Sequence, residues 1–318
     1  MDVVALGELL IDFTDNGVSS QGNHLFEANP GGAPCNVLSC LQKLGHSTAF
    51  IGKVGKDSFG ELLASAVREQ GICTDGLRFD EEVPTTLAFV HTKPDGDRDF
   101  SFYRNPGADM MLGKEEVSQK LVQSAKIFHF GSLSMTSERS EAATKYAIET
   151  AKESGALVSF DPNLRPPLWK DLQKAKAKIQ YGLSQCDILK ISDNEIEFMT
   201  GQEDIEKGVL QLLEEYHIPL VCATMGKDGS KAFYRGNIVI GNPFLSEETV
   251  ETTGAGDTFC GCMLHFVLRY GLEGFTQEAL QEMLSFANAA ACLVTTRKGA
   301  LRVMPSVSEI EGFRKEGS

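Results

Sequence analysis

Apolar residues recur along this chain in two rhythms that take turns. Short apolar runs of strand length, Ile127–Phe130, Leu157–Phe160, Ile188–Ile191 and Leu220–Ala223, alternate with stretches of helical spacing at Ser137–Ser154, Leu172–Leu183, Asn194–Thr200 and Ile205–Tyr216. Strand then helix, repeated without a linker, predicts an α/β fold: a mostly parallel sheet with helices on both faces, a three-layer αβα sandwich. The N-terminal part follows the same rule. Val3–Ile11 reads as one buried strand ending at Asp12, and a helix runs from Pro34 to Leu44 with Gly45 as its stop. Ala49–Gly55 is a second strand, and a helix starts at Asp57-Ser58 and ends near Gly71. Phe259–Leu268 and Met283–Leu293 read as apolar helices, and a short capping helix follows Ser306.

Between Thr85 and Leu112 the rhythm changes. Leu87, Phe89 and His91 alternate with polar or small neighbours, Pro94-Asp95-Gly96 marks a turn, and Phe100, Phe102 and Arg104 then share one face. This predicts a hairpin inserted among the strand–helix units, a candidate lid with Arg104 aimed at whatever it covers. The expectation is a single domain over residues 1–318 with lid segments near 13–30 and 84–112.

Polar clusters interrupt the apolar pattern at a few places. In Thr252-Thr253-Gly254-Ala255-Gly256-Asp257-Thr258-Phe259 three small residues precede a carboxylate and a helix. The N–H groups of Gly254, Ala255 and Gly256 can approach a ligand closely, and the helix end favours an anion. Asp257 then has two readings, a proton acceptor beside a phosphate or a helix cap. In Gly31-Gly32-Ala33-Pro34-Cys35-Asn36 the glycines allow close backbone approach, and Asn36 sits where it can bond hydroxyls. In open α/β sheets ligands lie beyond the carboxyl ends of strands, which places Asp12 as an acceptor for sugar hydroxyls or as a turn former.

Three later strand ends carry similar clusters. Asp161-Pro162-Asn163-Leu164-Arg165 offers Arg165 to phosphate or sugar oxygens, or to Asp161. Asn194 and Glu197 are three apart on a helix and suit a water-mediated contact with Mg2+, or Asn194 caps that helix. Thr224-Met225-Gly226-Lys227-Asp228-Gly229 can hold phosphates or turn a hairpin, and Asn288 can reach a base or ribose or serve its own helix.

Charge and cysteine usage then narrow the classes. The formal charge is −14, from 30 Lys+Arg against 44 Asp+Glu, and no long basic run is present, which disfavours nucleic acid as a partner. No run of eighteen apolar residues suggests a membrane span. Met1-Asp2-Val3-Val4 enters a strand with no basic stretch before it, so no secretory signal is expected and a cytoplasmic protein is. The eight cysteines sit scattered in apolar contexts, and the Cys260/Cys262 spacing is not that of a metal site. There is no Gly-x-x-x-x-Gly-Lys-Ser/Thr loop, Gly-x-Gly-x-x-Gly fingerprint, His-Glu-x-x-His or Gly-x-Ser-x-Gly, so hydrolase and dehydrogenase readings lose their usual support.

The two glycine-rich motifs together resemble the paired signatures of the ribokinase-like (PfkB) sugar kinases, in order, from about Val3 to Pro305. Phe102-Tyr103-Arg104-Asn105-Pro106-Gly107-Ala108-Asp109-Met110 and Phe160-Asp161-Pro162-Asn163-Leu164-Arg165-Pro166-Pro167-Leu168-Trp169 are similar to fructokinases in particular. The resemblance implies a ribokinase-like αβα core with a β lid, and transfer of a phosphoryl group from ATP to the C6 hydroxyl of D-fructose. It makes Asp257 the general base and Gly254, Ala255 and Gly256 the anion hole, with Arg165 near the transferred group. It assigns Asp12, Gly31, Gly32, Asn36, Arg104 and Asn163 to the sugar, and Asn194, Thr224, Gly226, Gly229 and Asn288 to the nucleotide. Glu197 would act on Mg2+ through water. The family often carries Asp in a monovalent-cation loop where this chain has Glu251, with Thr253 beside it, a departure that bears on K+. A 2-keto-3-deoxygluconate kinase shares the Tyr-Arg and Asp-Pro-Asn elements and is the alternative substrate. A non-catalytic sugar-binding regulator on the same fold is the alternative of a different class. Lid strands invite pairing, so a homodimer through the lid is expected.

Overall fold

A computed structural model describes residues 1–92 and 98–316. In chain order the strands are β1 (Val3–Leu6), β2 (Leu10–Val18), β3 (His24–Gly31), β4 (Thr48–Gly55), β5 (Cys73–Asp80), β6 (Leu87–Thr92) and β7 (Arg98–Tyr103). They continue as β8 (Ile127–Gly131), β9 (Leu157–Asp161), β10 (Ile188–Ser192), β11 (Leu220–Thr224), β12 (Ser230–Tyr234) and β13 (Asn237–Gly241). The helices are α1 (Ala33–Lys43), α2 (Ser58–Glu69), α3 (Gln119–Gln123), α4 (Glu138–Glu153) and α5 (Leu172–Gln185). After them come α6 (Asp193–Thr200), α7 (Ile205–Tyr216), α8 (Ala255–Tyr270), α9 (Gln277–Thr295) and α10 (Val307–Glu316).

Nine strands form one sheet in the order β13-β12-β11-β10-β9-β8-β1-β4-β5. It is parallel from β5 to β11, and only β12 and β13 run antiparallel. Each face buries its own core. On one side Leu38 and Leu41 of α1 meet Met263, Leu264 and Phe266 of α8; on the other Phe128, Phe130 and Phe160 pack with Ala147, Ile148 and Leu183 of α4 and α5. Strand after strand is apolar throughout because both faces are covered. No helix among the described residues is long and apolar enough to cross a membrane.

The reading of Val3–Ile11 as one strand is corrected. β1 stays in the large sheet, where Val3 pairs with Thr48 and Ile127, but the chain leaves at Gly7 and β2 starts a second sheet. A side chain at Gly7 would run into the Pro34 ring of α1, at 2.5 Å. The apolar run therefore continues through a crossing between two sheets, and periodicity cannot see that crossing.

The second sheet has the order β3-β2-β6-β7, with β2 and β6 parallel and the other pairs antiparallel. It begins earlier and ends earlier than the sequence suggests: residues 108–111 form a 3-10 turn against the main body rather than more of the hairpin. The Pro94-Asp95-Gly96 turn lies outside the described residues. Phe13 stacks on Phe89 at 4.8 Å and Phe26 meets the same ring edge-on.

Candidate active site

The carboxyl ends of β9, β10 and β11, the N-termini of α1 and α8, and the second sheet enclose a cleft of about 1100 Å3. Asp12, Gly32, Asn36, Asn163, Arg165, Asn194, Thr224, Gly226, Glu251, Thr253, Gly254, Gly256 and Asp257 all reach its wall. A narrower, more apolar chamber of about 380 Å3 continues from it, shares Thr224, Gly226 and Gly256, and adds Gly229, Ala255 and Asn288. Segments more than two hundred residues apart thus converge on one place.

Asp257 sits in the first turn of α8 and is buried. Its two oxygens are held from opposite sides. Asn36 Nδ2 donates to Oδ2 at 2.8 Å, and Asn163 Nδ2 donates to Oδ1 at 3.2 Å. A helix cap would accept from its own helix, so the carboxylate is doing something other than capping. Asn36 Oδ1 is buried without a protein partner, which leaves an acceptor at the same place. Gly254 begins α8 with φ 81°, a left-handed conformation that suits glycine, and a side chain there would strike Ala300 at 2.7 Å. Of the N–H groups in this run, that of Ala255 donates to Thr252 O at 3.3 Å in a turn, while those of Gly254, Gly256 and Asp257 have no acceptor among the described residues. Unpaired N–H groups thus extend one residue beyond Gly254-Ala255-Gly256, to Asp257.

Gly32 is the cap position of α1 at φ 127°, so close to Glu8 that a side chain would meet its carbonyl at 2.5 Å. Gly31 backs onto the Asp12 carboxylate rather than lining the cleft. Asp12 is half-buried and accepts no hydrogen bond from a described residue. Desolvation pushes its carboxyl up to about 7, helped by Glu251 and Asp257 and opposed by Arg165. Arg165 is exposed at the cleft mouth, where its Nη1 donates weakly to Leu164 O at 3.4 Å.

Arg104 is placed elsewhere than expected. It is buried, its Nε donates to Asp109 Oδ2 at 2.8 Å, and Nη1 and Nη2 donate to Thr136 Oγ1 and Leu133 O at 2.9 and 3.1 Å. It lines a separate cavity behind Phe102. A fork with five donors is satisfied internally once a carboxylate lies five residues along the chain. Glu197 is exposed and off the cleft, whereas Glu195 is buried in its wall and accepts from Leu164 N at 2.7 Å and Ser192 N at 2.8 Å. Asn194 stays exposed at the rim.

At the narrower chamber, Thr224–Gly229 both turns the β11–β12 hairpin, with Met225 N donating to Gly229 O at 2.9 Å, and lines the wall. Asn288 reaches the wall too, but accepts from Ser230 Oγ and donates to Asn242 O, both at 2.9 Å. Glu251 is buried; Gly299 N donates to its Oε2 at 3.2 Å, and Thr253 is half-buried beside it.

Three buried groups escaped the sequence reading. Glu8 accepts from Ala33 N at 3.1 Å at the start of α1, and burial pushes it up to about 7. Lys190 lies 3.1 Å from Asp161 Oδ2 and the same distance from where a side chain on Gly256 would begin. Glu195 completes the set. Lys190 is the one charge in the apolar run Ile188–Ile191, and Glu195 stands three residues after Ser192, the capping-box spacing; those were the available signals.

Free N–H groups at a helix end beside a carboxylate that faces a polar pocket are the equipment of a small-molecule kinase. The family follows from comparison: the profile described as pfkB family carbohydrate kinase matches residues 1–306, and the chain belongs to that family, with its ribokinase-like fold. It is 41% identical over 318 residues to a probable fructokinase-2 of Arabidopsis thaliana, covering 98% of this chain and 95% of that protein. Among solved structures it resembles a fructokinase with bound ATP from Xylella fastidiosa, with a TM-score of 0.91, 32% identity and coverage of 99% and 98%. A fructokinase double mutant from Vibrio cholerae O395, in fructose-, ADP- and potassium-bound form, gives 0.89, 30% identity and 98% of each chain.

Proposed function

We propose that this carbohydrate kinase transfers the γ-phosphoryl group of ATP to the C6 hydroxyl of D-fructose. The observation that carries the reading is the Asp257 carboxylate held between Asn36 and Asn163 beside the unpaired N–H groups of Gly256 and Asp257. The C6 oxygen bonds to the γ-phosphorus as the bridging bond to ADP breaks, and Asp257 takes the hydroxyl proton. Such base catalysis is commonly worth about 10²–10⁴-fold. The N–H groups and Arg165 stabilise charge on the transferred group. Asp12, Gly32 and the free oxygen of Asn36 take sugar hydroxyls, and the second sheet acts as the lid that excludes water. Asn194, Thr224 and the Gly226–Gly229 turn hold the nucleotide.

The donor set fits magnesium only as an ion that arrives with the nucleotide. No group of three metal-ligating side chains occurs among the described residues, and both oxygens of Glu195 already accept N–H groups. Mg2+ keeps several waters and phosphate oxygens, so one carboxylate reached through water suffices, and Glu195 is better placed for it than Glu197. Bound magnesium would neutralise developing phosphate charge. Glu251 and Thr253 mark the monovalent-cation loop, and activity with and without KCl tests whether the longer Glu side chain keeps it.

Fructose is favoured over 2-keto-3-deoxygluconate by the fate of Arg104. An acidic sugar needs a free cation, and Arg104 is committed to Asp109 away from the cleft, whose wall at that end carries the carboxyl groups of Glu8 and Asp12. The exposed Val18, Leu25 and Phe26 of the second sheet support a homodimer through the lid, which light scattering tests. A coupled ADP-release assay with fructose, 2-keto-3-deoxygluconate, ribose and adenosine tests the function. Fructose should give the highest kcat/KM; turnover of the acid sugar alone would overturn the substrate, and turnover of none would favour a regulator.

A further inference from the structure

A buried lysine whose charge no part of the proposed chemistry uses lies directly beneath the base. Lys190 points from β10 into a nest of titratable groups on four elements: Asp161 on β9, Glu195 on α6, Asp257 and Cys260 on α8, and His129 on β8. A charged lysine with 6% of its surface exposed costs several kcal/mol of desolvation unless paired. Its partner is Asp161, 3.1 and 3.3 Å away at the two carboxylate oxygens.

Asp161 passes that contact on. Its Oδ1 accepts the backbone N–H of Asn163 at 3.2 Å, a side-chain turn that holds Asn163 at φ 48°. Asn is among the few residues that take the left-handed conformation readily, and here the bond to Asp161 fixes it. From that conformation the Asn163 amide reaches Asp257 Oδ1 at 3.2 Å. Four buried residues therefore form one line: ammonium, carboxylate, amide, base.

We propose that Lys190 is a positioning residue for phosphoryl transfer, acting through Asp161 and Asn163 to fix the orientation of the Asp257 carboxylate. The inference rests on Asp257 being the base and not on which sugar is phosphorylated. Its physical content is that the ammonium anchors the Asp161 carboxyl, at 3.1 and 3.3 Å, in the position where it accepts the Asn163 N–H. Burial pushes Asp161 up, and the Lys190 ammonium opposes that push. Without that anchor the carboxyl is free to turn, the contact to the Asn163 N–H loosens, and Asp257 is left with one amide instead of two. A misplacement of about 1 Å at a reacting group costs on the order of 10²-fold.

The test uses the full chain with whichever sugar the wild type turns over. Lys190→Met should lower kcat by about 10- to 100-fold while the KM values for sugar and ATP stay within about threefold. Lys190→Arg should recover much of the loss, because a second cation can hold Asp161. Asp161→Ala, which removes both the acceptor of the Asn163 N–H and the partner of Lys190, should lose about as much as Lys190→Met, and the double replacement no more than either alone. The double variant leaves no unpaired charge, so it keeps the test open if Lys190→Met fails to fold. Full kcat in the double variant, losses that multiply, or a loss confined to KM for ATP would each overturn the relay. If the wild type phosphorylates no sugar, the functional reading has failed instead. A crystal structure of Lys190→Met then decides the relay by itself: it stands if Asn163 has left the left-handed region and Asp257, and falls if both are unmoved.

Discussion

The two ends of the cleft are built by different means. The sugar end gathers single residues from distant segments, Glu8, Asp12, Asn36, Asn163 and Asp257, and almost all of them are charged or amide groups buried against one another. The nucleotide end is the opposite: backbone turns and apolar side chains such as Phe244, Ala291 and Cys292, contributed by runs of neighbours on the β11–β12 hairpin, the segment after β13 and α9. Chemistry that moves a proton needs fixed charges in a dry place, and these are expensive to bury. A flat base needs only a slot of the right width. The sugar end should therefore respond strongly to charge changes and to pH, and the nucleotide end weakly.

The largest test of that asymmetry is Asp257→Asn. It keeps the shape and one amide contact and removes the proton acceptor, so kcat should fall by at least about 10²–10⁴-fold. The affinity for ATP, measured by calorimetry, should stay within a few-fold. Near-normal turnover would remove the base from the mechanism. One step down, Glu195→Gln and Glu197→Gln separate two carboxylates two residues apart. The first removes a buried group that two N–H donors share and should cost about 10- to 100-fold in kcat, with a raised magnesium requirement. The second changes an exposed side chain and should leave steady-state kinetics alone.

What could be read from the chain follows the same division. Alternating strands and helices, and the small-residue run before Asp257, are local patterns and were legible. Buried charges were not. Lys190 looks like a strand residue and Glu195 like a helix cap, because what makes them functional is which distant group they face. Arg104 was legible as a cation but not as a spent one: its capture by Asp109, five residues on in a 3-10 turn, is not visible in alternation. Val3–Ile11 failed for a related reason, since one apolar run serves two sheets.

A smaller effect, on stability, sharpens the contrast through pH. Burial raises Glu8 from 4.5 to about 7, so between those values the folded chain holds a proton that the unfolded chain has released. Its favourable contribution is complete below about pH 4 and is lost as pH rises through about 7. Glu8→Gln removes the penalty of ionising a buried group. It should raise the unfolding free energy at about pH 8 by on the order of 2 kcal/mol and give no gain near pH 5. A benefit equal at both pH values would mean that the carboxylate is not being desolvated.

The mildest prediction concerns the other end. Asn288 lines the nucleotide chamber, and its position on α9 invites a contact with the base. Its amide is nevertheless committed on both sides, accepting from Ser230 Oγ and donating to Asn242 O, so it joins α9 to β12 and to the chain leaving β13. Ser230 is fully buried, and its hydroxyl would lose the acceptor it has in Asn288. Asn288→Ala should then cost about 1–2 kcal/mol of stability, the usual penalty for stranding a buried hydroxyl. KM for ATP should change by less than about threefold, because the amide that is removed was committed to Ser230 and Asn242, and the stability loss should be the same at about pH 5 and pH 8 because no titrating group is involved. A tenfold rise in KM with unchanged stability would instead make Asn288 a ligand contact. The nucleotide end would then depend on placed polar groups, as the sugar end does.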